Sequence, residues 1–446
     1  MTRYALALWL ILATVSLAWL GVERDIVATT GFIAVRNLLV QYTGLLAMAA
    51  MSVSMVLALR PKWLGGPLGG LDKIYRLHKW LGIGALVLSV AHWVSSNAPR
   101  WAVASGLMER GQRPPRAPLS DPIEQFLSSY RGIAEIIGEW TFYATVLLII
   151  VALVKAVPYR LFYKTHRLLA VAYLALVAHS IVLTKFSYWL SPLGLLLALL
   201  LLAGSYSSVI VLLGRIRAGR KTTARIASLQ YYPGVHALEV AVDGADGWTG
   251  HEPGQFAFVT SNTAEGAHPY TIASAWNDDD RRIIFIVKEL GDHTARLSET
   301  LRVGQDVVIE GPYGYFTFED DCPVQIWVGG GIGITPFVAR MKHLAGRDRA
   351  ATPEIHLFHP TATTDDTAFA KLAADAVAAG VQLHVSVDAR DGFLTGERIR
   401  SAVPRWAEAS LWFCGPTGLG ATLRHDFARA PGAVGRRFHQ ELFEMR

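Results

Sequence analysis

Residues 76–93 read RLHKWLGIGALVLSVAHW, an apolar stretch with a histidine near each end, His78 and His92. The stretch is long enough to cross a bilayer, which takes about 20 predominantly apolar residues. A second stretch of this kind, residues 163–180, reads YKTHRLLAVAYLALVAHS and carries His166 and His179. Ionisable rings within a membrane span are costly and usually functional, so these two stretches bear on both the fold and the activity.

Six apolar segments of the 446-residue chain are long enough to span a membrane, and 52% of all residues are hydrophobic. The first segment is interpreted as a helix rather than a signal peptide, because it lacks a convincing cleavage site and five further spans follow it. The predicted spans are residues 4–21, 33–59, 79–98, 139–157, 168–184 and 191–213.

Lys and Arg are concentrated in the loops after the second, fourth and sixth spans, whereas the first and last loops on the other side offer only Arg24 and Lys185. Because cytoplasmic loops carry such an excess, we expect a multi-pass protein of the cell inner (plasma) membrane with both termini cytoplasmic. The net charge of +6 is therefore ascribed to membrane orientation and not to nucleic-acid binding. The long loop after the third span is an exception, with Arg100, Arg110, Arg113, Arg116 and Arg131.

The spacing of the four histidines pairs them by depth. His92 follows His78 by 14 residues and His179 follows His166 by 13, which is roughly 20 Å along a helix in each case. If both spans run outward, His78 is level with His166 and His92 with His179. Two neutral imidazoles at each of two depths would clamp an iron, an arrangement that suits two stacked haems.

The alternative for these histidines is interhelical hydrogen bonding, which would be favoured for a single histidine in a bundle. Depth matching favours metal ligation, as does the lack of any other histidine before residue 236 in the sequence. A step of 13 residues falls short of four ideal turns, which predicts a π-bulge or a curve in the fifth span. The only two cysteines, Cys322 and Cys414, cannot build a disulfide framework, a zinc site or an iron–sulfur cluster.

The pattern changes after the sixth span. From about residue 219, short strands are separated by turn residues at close intervals, which predicts a small antiparallel barrel. From about residue 322, strands alternate with helical stretches, which predicts a parallel sheet with crossover helices. The predicted fold class is thus a multidomain membrane protein with a six-helix transmembrane bundle, an antiparallel β-barrel domain and an α/β parallel-sheet domain.

With its two-by-two histidine pattern, the sequence resembles the transmembrane flavocytochromes b that include ferric reductases and NADPH oxidases. The resemblance covers almost the whole chain. It implies a bis-haem ferric reductase-like domain at 1–217, an FAD-binding barrel at 218–320 and an NAD(P)-binding α/β domain at 321–446. The implied cofactors are FAD and two b-type haems, with NADPH as the electron donor and NADH also possible.

The segment HPYTIAS, residues 268–274, closes one predicted barrel strand. In related flavoprotein reductases an equivalent motif lies along the isoalloxazine and ribityl chain of FAD. The resemblance implies that Tyr270 packs on the flavin and that Thr271 forms a hydrogen bond near its reactive edge. His268 stands where soluble relatives usually have arginine, and it matches the oxidase and ferric-reductase branch. The remaining candidates in this segment are Pro269 and Ser274.

KELGDHTARL, residues 288–297, follows the next strand and begins with Lys288. Gly291 permits a close approach, and the backbone and hydroxyl around His293 and Thr294 would hold the FAD pyrophosphate at a helix start.

VGGGIGITPF, residues 328–337, runs from an apolar strand through four glycines into a helical pattern. Glycines let backbone N–H groups approach a pyrophosphate at a helix N-terminus. The resemblance implies that Thr335, followed by Pro336, lies near the nicotinamide. FCGPTGLG, residues 413–420, is the second family motif, in which Cys414 would position the nicotinamide for hydride transfer. The other cofactor-binding candidates in the two motifs are Gly329, Gly330, Gly331, Gly333, Gly415 and Pro416.

Two further positions follow from the resemblance. Arg390 in VDARDG matches an arginine that grips the 2′-phosphate of NADPH in soluble relatives, although the neighbouring serine is replaced by Ala389. NADPH is therefore favoured over NADH. Phe443 in the terminal FHQELFEMR matches an aromatic residue that covers the flavin until the nicotinamide displaces it. Phe443 joins Thr335 and Cys414 as the candidate catalytic residues.

The implied function is a transmembrane oxidoreductase that passes electrons from cytoplasmic NAD(P)H through FAD and two haems to an extracytoplasmic acceptor. A ferric chelate is the favoured acceptor, and an NADPH oxidase that reduces dioxygen to superoxide is the first alternative. An electron-donating subunit for a periplasmic enzyme and a membrane-anchored flavin reductase without haem are the others. The expected partners are the lipid bilayer, NAD(P)H and the acceptor, and no obligate protein partner is evident.

Overall fold

The computed structural model describes residues 3–24, 26, 29–109, 119–154, 156–216, 218–263, 265–291, 293–345, 347, 352–430 and 437–441. The chain forms two compact units, Met1–Arg217 with Arg446 and Ala218–Met445. The first unit is helical, and the second contains both β-sheets.

The helical unit contains six helical segments that are long and apolar enough to cross a membrane, so the six predicted spans are confirmed with adjusted bounds. The third is the longest because it extends beyond its apolar centre at both ends. In chain order the helices are α1 (Arg3–Val22), α2 (Phe32–Ala58), α3 (Gly65–Leu68), α4 (Leu71–Ala104), α5 (Pro122–Ser129), α6 (Arg131–Leu153), α7 (Tyr159–His166), α8 (Leu168–Leu183), α9 (Phe186–Trp189) and α10 (Pro192–Leu212).

The fifth span consists of α7 and α8, which are separated at Arg167 alone. The Arg167 guanidinium donates to the carbonyl oxygens of Val211 and Leu212 at the end of α10, at 3.3 and 3.0 Å. The carboxyl end of a helix leaves such carbonyls without helical partners, so it attracts a cation. The irregularity in this span is a one-residue break in the helix at Arg167, whose backbone keeps helical dihedral angles, and the described residues of the span contain no π-helical turn.

Small residues allow the helices of the bundle to approach closely. Tyr173 of α8 is 2% exposed, and its hydroxyl lies 2.7 Å from the Ser52 hydroxyl of α2. A Cβ at Gly204 of α10 would overlap the Tyr173 ring. Helices in membranes associate through this kind of close packing and interhelical hydrogen bonding, because lipid supplies no hydrophobic drive between them.

The second unit begins with a six-stranded antiparallel sheet in the order β4-β3-β6-β1-β2-β5. An isolated bridge between Ile272 and Phe285 links the two edge strands, so the sheet curls into a barrel. Alternate side chains fill its interior, as the period of two in a strand requires. The strands are β1 (Lys221–Tyr232), β2 (Ala237–Asp243), β3 (Phe256–Thr260), β4 (His268–Thr271), β5 (Ile283–Lys288) and β6 (Asp306–Tyr313), and the short helix α11 spans Leu297–Thr300.

The following sheet has five parallel strands in the order β11-β10-β7-β8-β9. Its central strands are buried along their whole length, as expected of a sheet covered on both faces. The predicted barrel and parallel sheet are confirmed. The elements are β7 (Val324–Gly329), α12 (Thr335–Leu344), β8 (Glu354–Thr361), α13 (Asp366–Ala379), β9 (Gln382–Val387), α14 (Asp388–Asp391), α15 (Gly396–Ala402), β10 (Ala409–Cys414), α16 (Thr417–Arg429) and β11 (Phe438–Gln440).

Candidate functional site

The four membrane histidines meet in the two pairs that their spacing predicts. The ring centres of His78 and His166, called here the first pair, are 5.9 Å apart. Those of His92 and His179, the second pair, are 6.3 Å apart. A metal–imidazole bond is about 2.0 Å long and the ring centre lies about 1 Å beyond the nitrogen, so two axial imidazoles have centres about 6 Å apart. Both pairs have this separation.

Three of the four rings are oriented by the backbone of a neighbouring helix. The Nδ1 atoms of His78, His92 and His179 lie 2.8–3.0 Å from carbonyl oxygens. A carbonyl oxygen only accepts, so each Nδ1 carries the proton and donates, and each Nε2 is left with its lone pair. Metal-ligating histidines use their second nitrogen in this way. The accepting residues are Ser54, Val40 and Ala134, in the same order.

Two glycines provide the space for the second pair. A Cβ at Gly138 of α6 would lie 3.0 Å from Cγ of His179 and closer still to the Nδ1 and Cε1 atoms of that ring. A Cβ at Gly44 of α2 would lie 3.1 Å from Nδ1 of His92. Sequence reasoning missed both positions. Their only signal is a glycine within an apolar helix, which is common for packing reasons alone.

His166 is the exception among the four histidines. Its buried Nδ1 has no hydrogen-bond partner among the residues that the structure describes. The ring instead stacks on Phe162, with ring centres 5.0 Å apart, directly before the helix break at Arg167.

The residues present fit two bis-imidazole haems, because both pairs have the separation of axial ligands and three of the rings have their Nδ1 protons occupied. A bound haem would be held by His78 with His166, and another by His92 with His179.

The first four residues of the segment proposed for the flavin form strand β4 of the barrel. The Thr271 side chain is 7% exposed, and its Oγ1 has no hydrogen-bond partner within the described part of the chain. Buried hydroxyls normally have a partner, so Thr271 fits a hydrogen bond to a bound group. Pro269 lies opposite Phe258 in the sheet, and Tyr270 packs against the core of the barrel.

Ser274 has partners within the barrel. Its hydroxyl accepts the Ile284 N–H at 3.1 Å and lies 3.3 Å from Nε2 of His251. Burial lowers the pKa of His251 to about 4. His251 is therefore neutral at physiological pH, with Nδ1 accepting from Trp248 and Nε2 donating to the Ser274 carbonyl. Ser274 thus closes the barrel between β4 and β5.

The loop after β5 lies beside β4. His293 stacks face to face on His268 with ring centres 3.9 Å apart, and burial followed by the charge of His293 lowers the pKa of His268 to about 4. Thr294 folds the loop, because its hydroxyl accepts from the backbone of Leu290 and Gly291. A Cβ at Gly291 would meet no protein atom within 4 Å, so the glycine clears space on the outside of the loop.

The two glycine-rich motifs interlock at the carboxyl ends of β7 and β10. The Gly330 N–H donates to the Cys414 carbonyl at 2.9 Å, and a Cβ at Gly333 would overlap that same carbonyl. Gly415 has a φ of +155° and passes within contact of Gly330. Pro416 is the cap residue directly before α16. Gly329 packs under Ile334, where a Cβ would be 2.9 Å from its Cα.

Thr335 and Cys414 are both buried at this junction. The Thr335 hydroxyl donates to the Ile332 carbonyl at 2.8 Å, and Pro336 occupies the first turn of α12. Burial raises the pKa of the Cys414 thiol, with a further contribution from the charge of Glu441. The thiol is therefore protonated and acts by shape and polarity, not as a nucleophile.

A cavity of about 100 Å³ lies between the barrel and the parallel sheet, beside the glycine-rich loop. Gly331 has a φ of +55° and presents its backbone there. Lys288 also lines the cavity, as does His359, whose Nδ1 donates to the Gly329 carbonyl at 2.7 Å. At its far side Lys371 pairs with Glu239 at 2.7 Å. Thr361, Lys342, Asp375 and Tyr232 are further polar residues of its lining.

Sequence reasoning did not identify the cavity residues His359, Thr361 and Lys371, or the carboxylate of Glu441. Glu441 is 7% exposed and follows β11 beside Phe413. An acidic residue within the apolar terminal segment FHQELF is the one signal that points to it.

Arg390 is not among the residues that line the cavity. It lies in α14, directly after β9, and forms a two-point ion pair with Asp391 at 2.9 Å. Phe443 lies outside the described residues.

Comparisons with known proteins agree with this architecture. Residues 43–177 match the ferric reductase like transmembrane component, and residues 221–317 match an FAD-binding domain. An NADPH oxidoreductase of Mycobacterium tuberculosis is 30% identical over 241 residues, which cover 52% of this chain and 59% of that protein.

The heavy chain of a superoxide-generating NADPH oxidase of Dictyostelium discoideum is 26% identical over 228 residues, 44% of this chain and 40% of that one. A cytochrome P450 reductase from Amycolatopsis is 25% identical, with a TM-score of 0.42 over 50% of this chain and 70% of that one. The chain spans about half the length of the curated relatives it matches.

The described residues combine a bundle of six candidate membrane spans, a barrel that matches an FAD-binding domain and a five-stranded parallel sheet, which together are typical of membrane-spanning flavoproteins. The chain is thus similar to ferric reductases in residues 43–177 and to FAD-binding domains in residues 221–317, and its relatives include an NADPH oxidase, in agreement with the resemblance given above.

Proposed function

We propose that the chain carries electrons from NAD(P)H on the cytoplasmic side of the plasma membrane to a one-electron acceptor on the other side. The observation that carries this proposal is the pairing of the membrane histidines at two axial-ligand separations, 5.9 and 6.3 Å. When bound, FAD would take a hydride from the nucleotide and release single electrons, which the two haems would relay across the bilayer.

The residues of the second unit are proposed to bind and orient the two nucleotides. Thr271 would donate a hydrogen bond from its hydroxyl group to the flavin, and the loop around Gly291 and Thr294 would bind the FAD pyrophosphate. Gly331 and Lys288 would bind the NAD(P)H pyrophosphate at the cavity. Cys414 would shape the nicotinamide pocket, with Glu441 as the buried acceptor beside it. These roles are supported by the orphaned hydroxyl, the open loop and the burial described above.

The membrane histidines are proposed as iron ligands, with the first pair on the cytoplasmic side and the second on the outer side. This orientation rests on the basic loops after the second, fourth and sixth spans. Two histidines at each site would hold a haem iron and leave it no free position, so the acceptor would take its electron at the periphery of the bound group. The domains are proposed as 1–217 for haem, 218–320 for FAD and 321–446 for NAD(P)H.

Ferric iron is the proposed acceptor, because the match of residues 43–177 is to a ferric reductase like component. Dioxygen is the second candidate, since a relative is a superoxide-generating oxidase.

One experiment tests both acceptors. The purified full chain, supplied with FAD and NADPH, is assayed for anaerobic reduction of a ferric chelate and for aerobic cytochrome c reduction with and without superoxide dismutase. A ferric reductase gives the first activity and a cytochrome c signal insensitive to the dismutase. An oxidase gives a signal that the dismutase abolishes. Lack of b-type absorption bands in the pure protein would remove the haem proposal and leave a membrane-anchored flavin reductase.

A further inference from the structure

The turn after β9 contains a tightly bound pair of opposite charges. Arg390 donates through Nε to Oδ1 of Asp391 and through Nη2 to Oδ2, both at 2.9 Å. Two parallel hydrogen bonds of this kind are the strongest geometry available to a guanidinium and a carboxylate. The pair lies at the carboxyl end of a parallel strand, where ligands of such sheets bind.

Asp391 is the anchored member of the pair. Its Oδ2 also accepts the Val387 N–H at 2.8 Å, and Arg398 donates to its backbone carbonyl at 2.9 Å. The Asp391 side chain is 26% exposed, whereas that of Arg390 is 70% exposed. The hydrogen bond from Arg390 lowers the pKa of Asp391 to about 2, so the carboxylate is charged at physiological pH. Arg390 is therefore oriented by the carboxylate.

If the second unit binds NAD(P)H as proposed above, the position of this pair suits the adenosine end of the dinucleotide. The glycine-rich loop follows β7, and β10 with Cys414 lies on one side of it. β9 lies two strands away on the other side, which is about 10 Å at the usual strand spacing. A nucleotide with its pyrophosphate at Gly331 and its nicotinamide towards β10 therefore extends its adenosine ribose towards β9.

We infer that Asp391 determines nucleotide choice by holding Arg390 and lowering the preference of this chain for NADPH over NADH. A 2′-phosphate carries about −1.5 to −2 charges, so it is repelled by the carboxylate while it competes for the arginine. The free 2′-hydroxyl of NADH adds no charge and can donate to the same carboxylate, as it does to acidic residues in dinucleotide-binding folds. Arg390 alone would favour NADPH, and the pair opposes that preference.

The test replaces Asp391→Asn, which keeps an acceptor for the Val387 N–H but removes the charge. Asp388→Asn is the matched control, because it removes the same charge from the same four-residue helix without contacting Arg390. The full chain with FAD reduces a tetrazolium dye, and kcat/KM is measured with NADPH and with NADH. The wild-type ratio should lie within about tenfold of unity, and Asp391→Asn should raise it about tenfold through KM for NADPH. The control should leave the ratio unchanged.

Arg390→Ala completes a double-mutant cycle with Asp391→Asn. It should change the NADPH value little in the wild-type background and should abolish the gain in the Asp391→Asn background. An unchanged ratio in Asp391→Asn, or an equal gain in Asp388→Asn, would overturn the inference.

Binding of adenosine 2′,5′-bisphosphate against 5′-AMP, measured by calorimetry on the same full-length variants, reports the same preference without turnover. Loss of dye reduction with both nucleotides would count against the proposed function, whereas the calorimetric ratio decides the role of Asp391 in either case. Tighter binding of the bisphosphate to Asp391→Asn is expected. Equal binding to wild type and variant would contradict the proposed role.

Discussion

The second histidine pair is held differently from the first. Both rings of the second pair donate to backbone carbonyls, those of Val40 and Ala134, and a glycine follows each of these residues by four positions. In the first pair, His78 donates to Ser54, which is followed four residues later by Ala58, and His166 rests on Phe162. The second pair is thus oriented by the backbone on both sides.

Steric space explains why glycine occupies positions 44 and 138. A helical carbonyl already accepts the N–H four residues later, so an incoming ring must approach across the side of that later residue. A Cβ at Gly44 or Gly138 would stand in the path of the ring. Glycine costs a helix roughly 0.5–1 kcal/mol relative to alanine, so each of these positions trades helix stability for ring orientation.

The largest expected effect comes from removing a ligand of the second pair. His179→Leu should remove about half of the bound haem, because one of two bis-imidazole sites is lost. Reduction of an impermeant acceptor on the outer side should fall steeply, while reduction of a tetrazolium dye by NADPH should persist. His166→Leu should slow transfer from the flavin as well. Haem content is measured by pyridine haemochrome, and a His179→Leu variant with full haem content and outward activity contradicts the assignment.

Gly138→Ala should mimic ligand loss without changing a ligand. The added methyl group would overlap the His179 ring, which must turn away from the Ala134 carbonyl. Loss of such a supporting hydrogen bond costs about 10–100-fold in metal affinity. Gly132→Ala is the control, since Gly132 lies on the same helix and a Cβ there would meet nothing within 4 Å. Equal haem content in Gly138→Ala and Gly132→Ala would show that the His179 ring can be oriented without a glycine at position 138.

Gly44→Ala should have a smaller effect. Its Cβ would approach His92 Nδ1 at 3.1 Å, so a shift of a few tenths of an ångström relieves the contact. We expect both haems to remain bound and one reduction potential to move, as measured by spectroelectrochemical titration. Complete loss of the second haem would mean that α2 cannot shift enough to relieve the contact. An unchanged titration would mean that the His92 ring accommodates the added methyl group without moving.

Phe162→Leu should have the smallest effect. It removes the stacking on His166, which is worth about 0.5–1.5 kcal/mol in aromatic pairs. We expect full haem content with a broadened low-temperature α-band from the first site. Phe142→Leu, which disturbs the stacking on Trp93 instead, serves as the control. A narrow α-band in Phe162→Leu would show that the helix break at Arg167, and not the stacking on Phe162, orients the His166 ring.

Much of this architecture was predictable because its signals are periodic and local. Six apolar runs, the alternation of strands and turns, and the later rhythm of strands and helices each follow from one stretch of sequence. The depth matching of the histidines was also predictable, since a helix converts a sequence step into a distance. The spacing of residues along a single helix or strand follows from the geometry of that element and does not depend on what packs against it.

The sequence by itself determined the order of the domains, the six spans, the histidine pairs and the presence of the two glycine-rich motifs, whose contact with each other only the structure shows. Only the tertiary structure decided which carbonyl orients each ring, where Arg167 breaks the fifth span, that Ser274 has partners in the barrel and that Asp391 holds Arg390. Each of these depends on the distance between groups far apart in the chain, or on which of several nearby polar partners a side chain selects. Such choices follow from packing, and packing has no periodic signature in a single sequence.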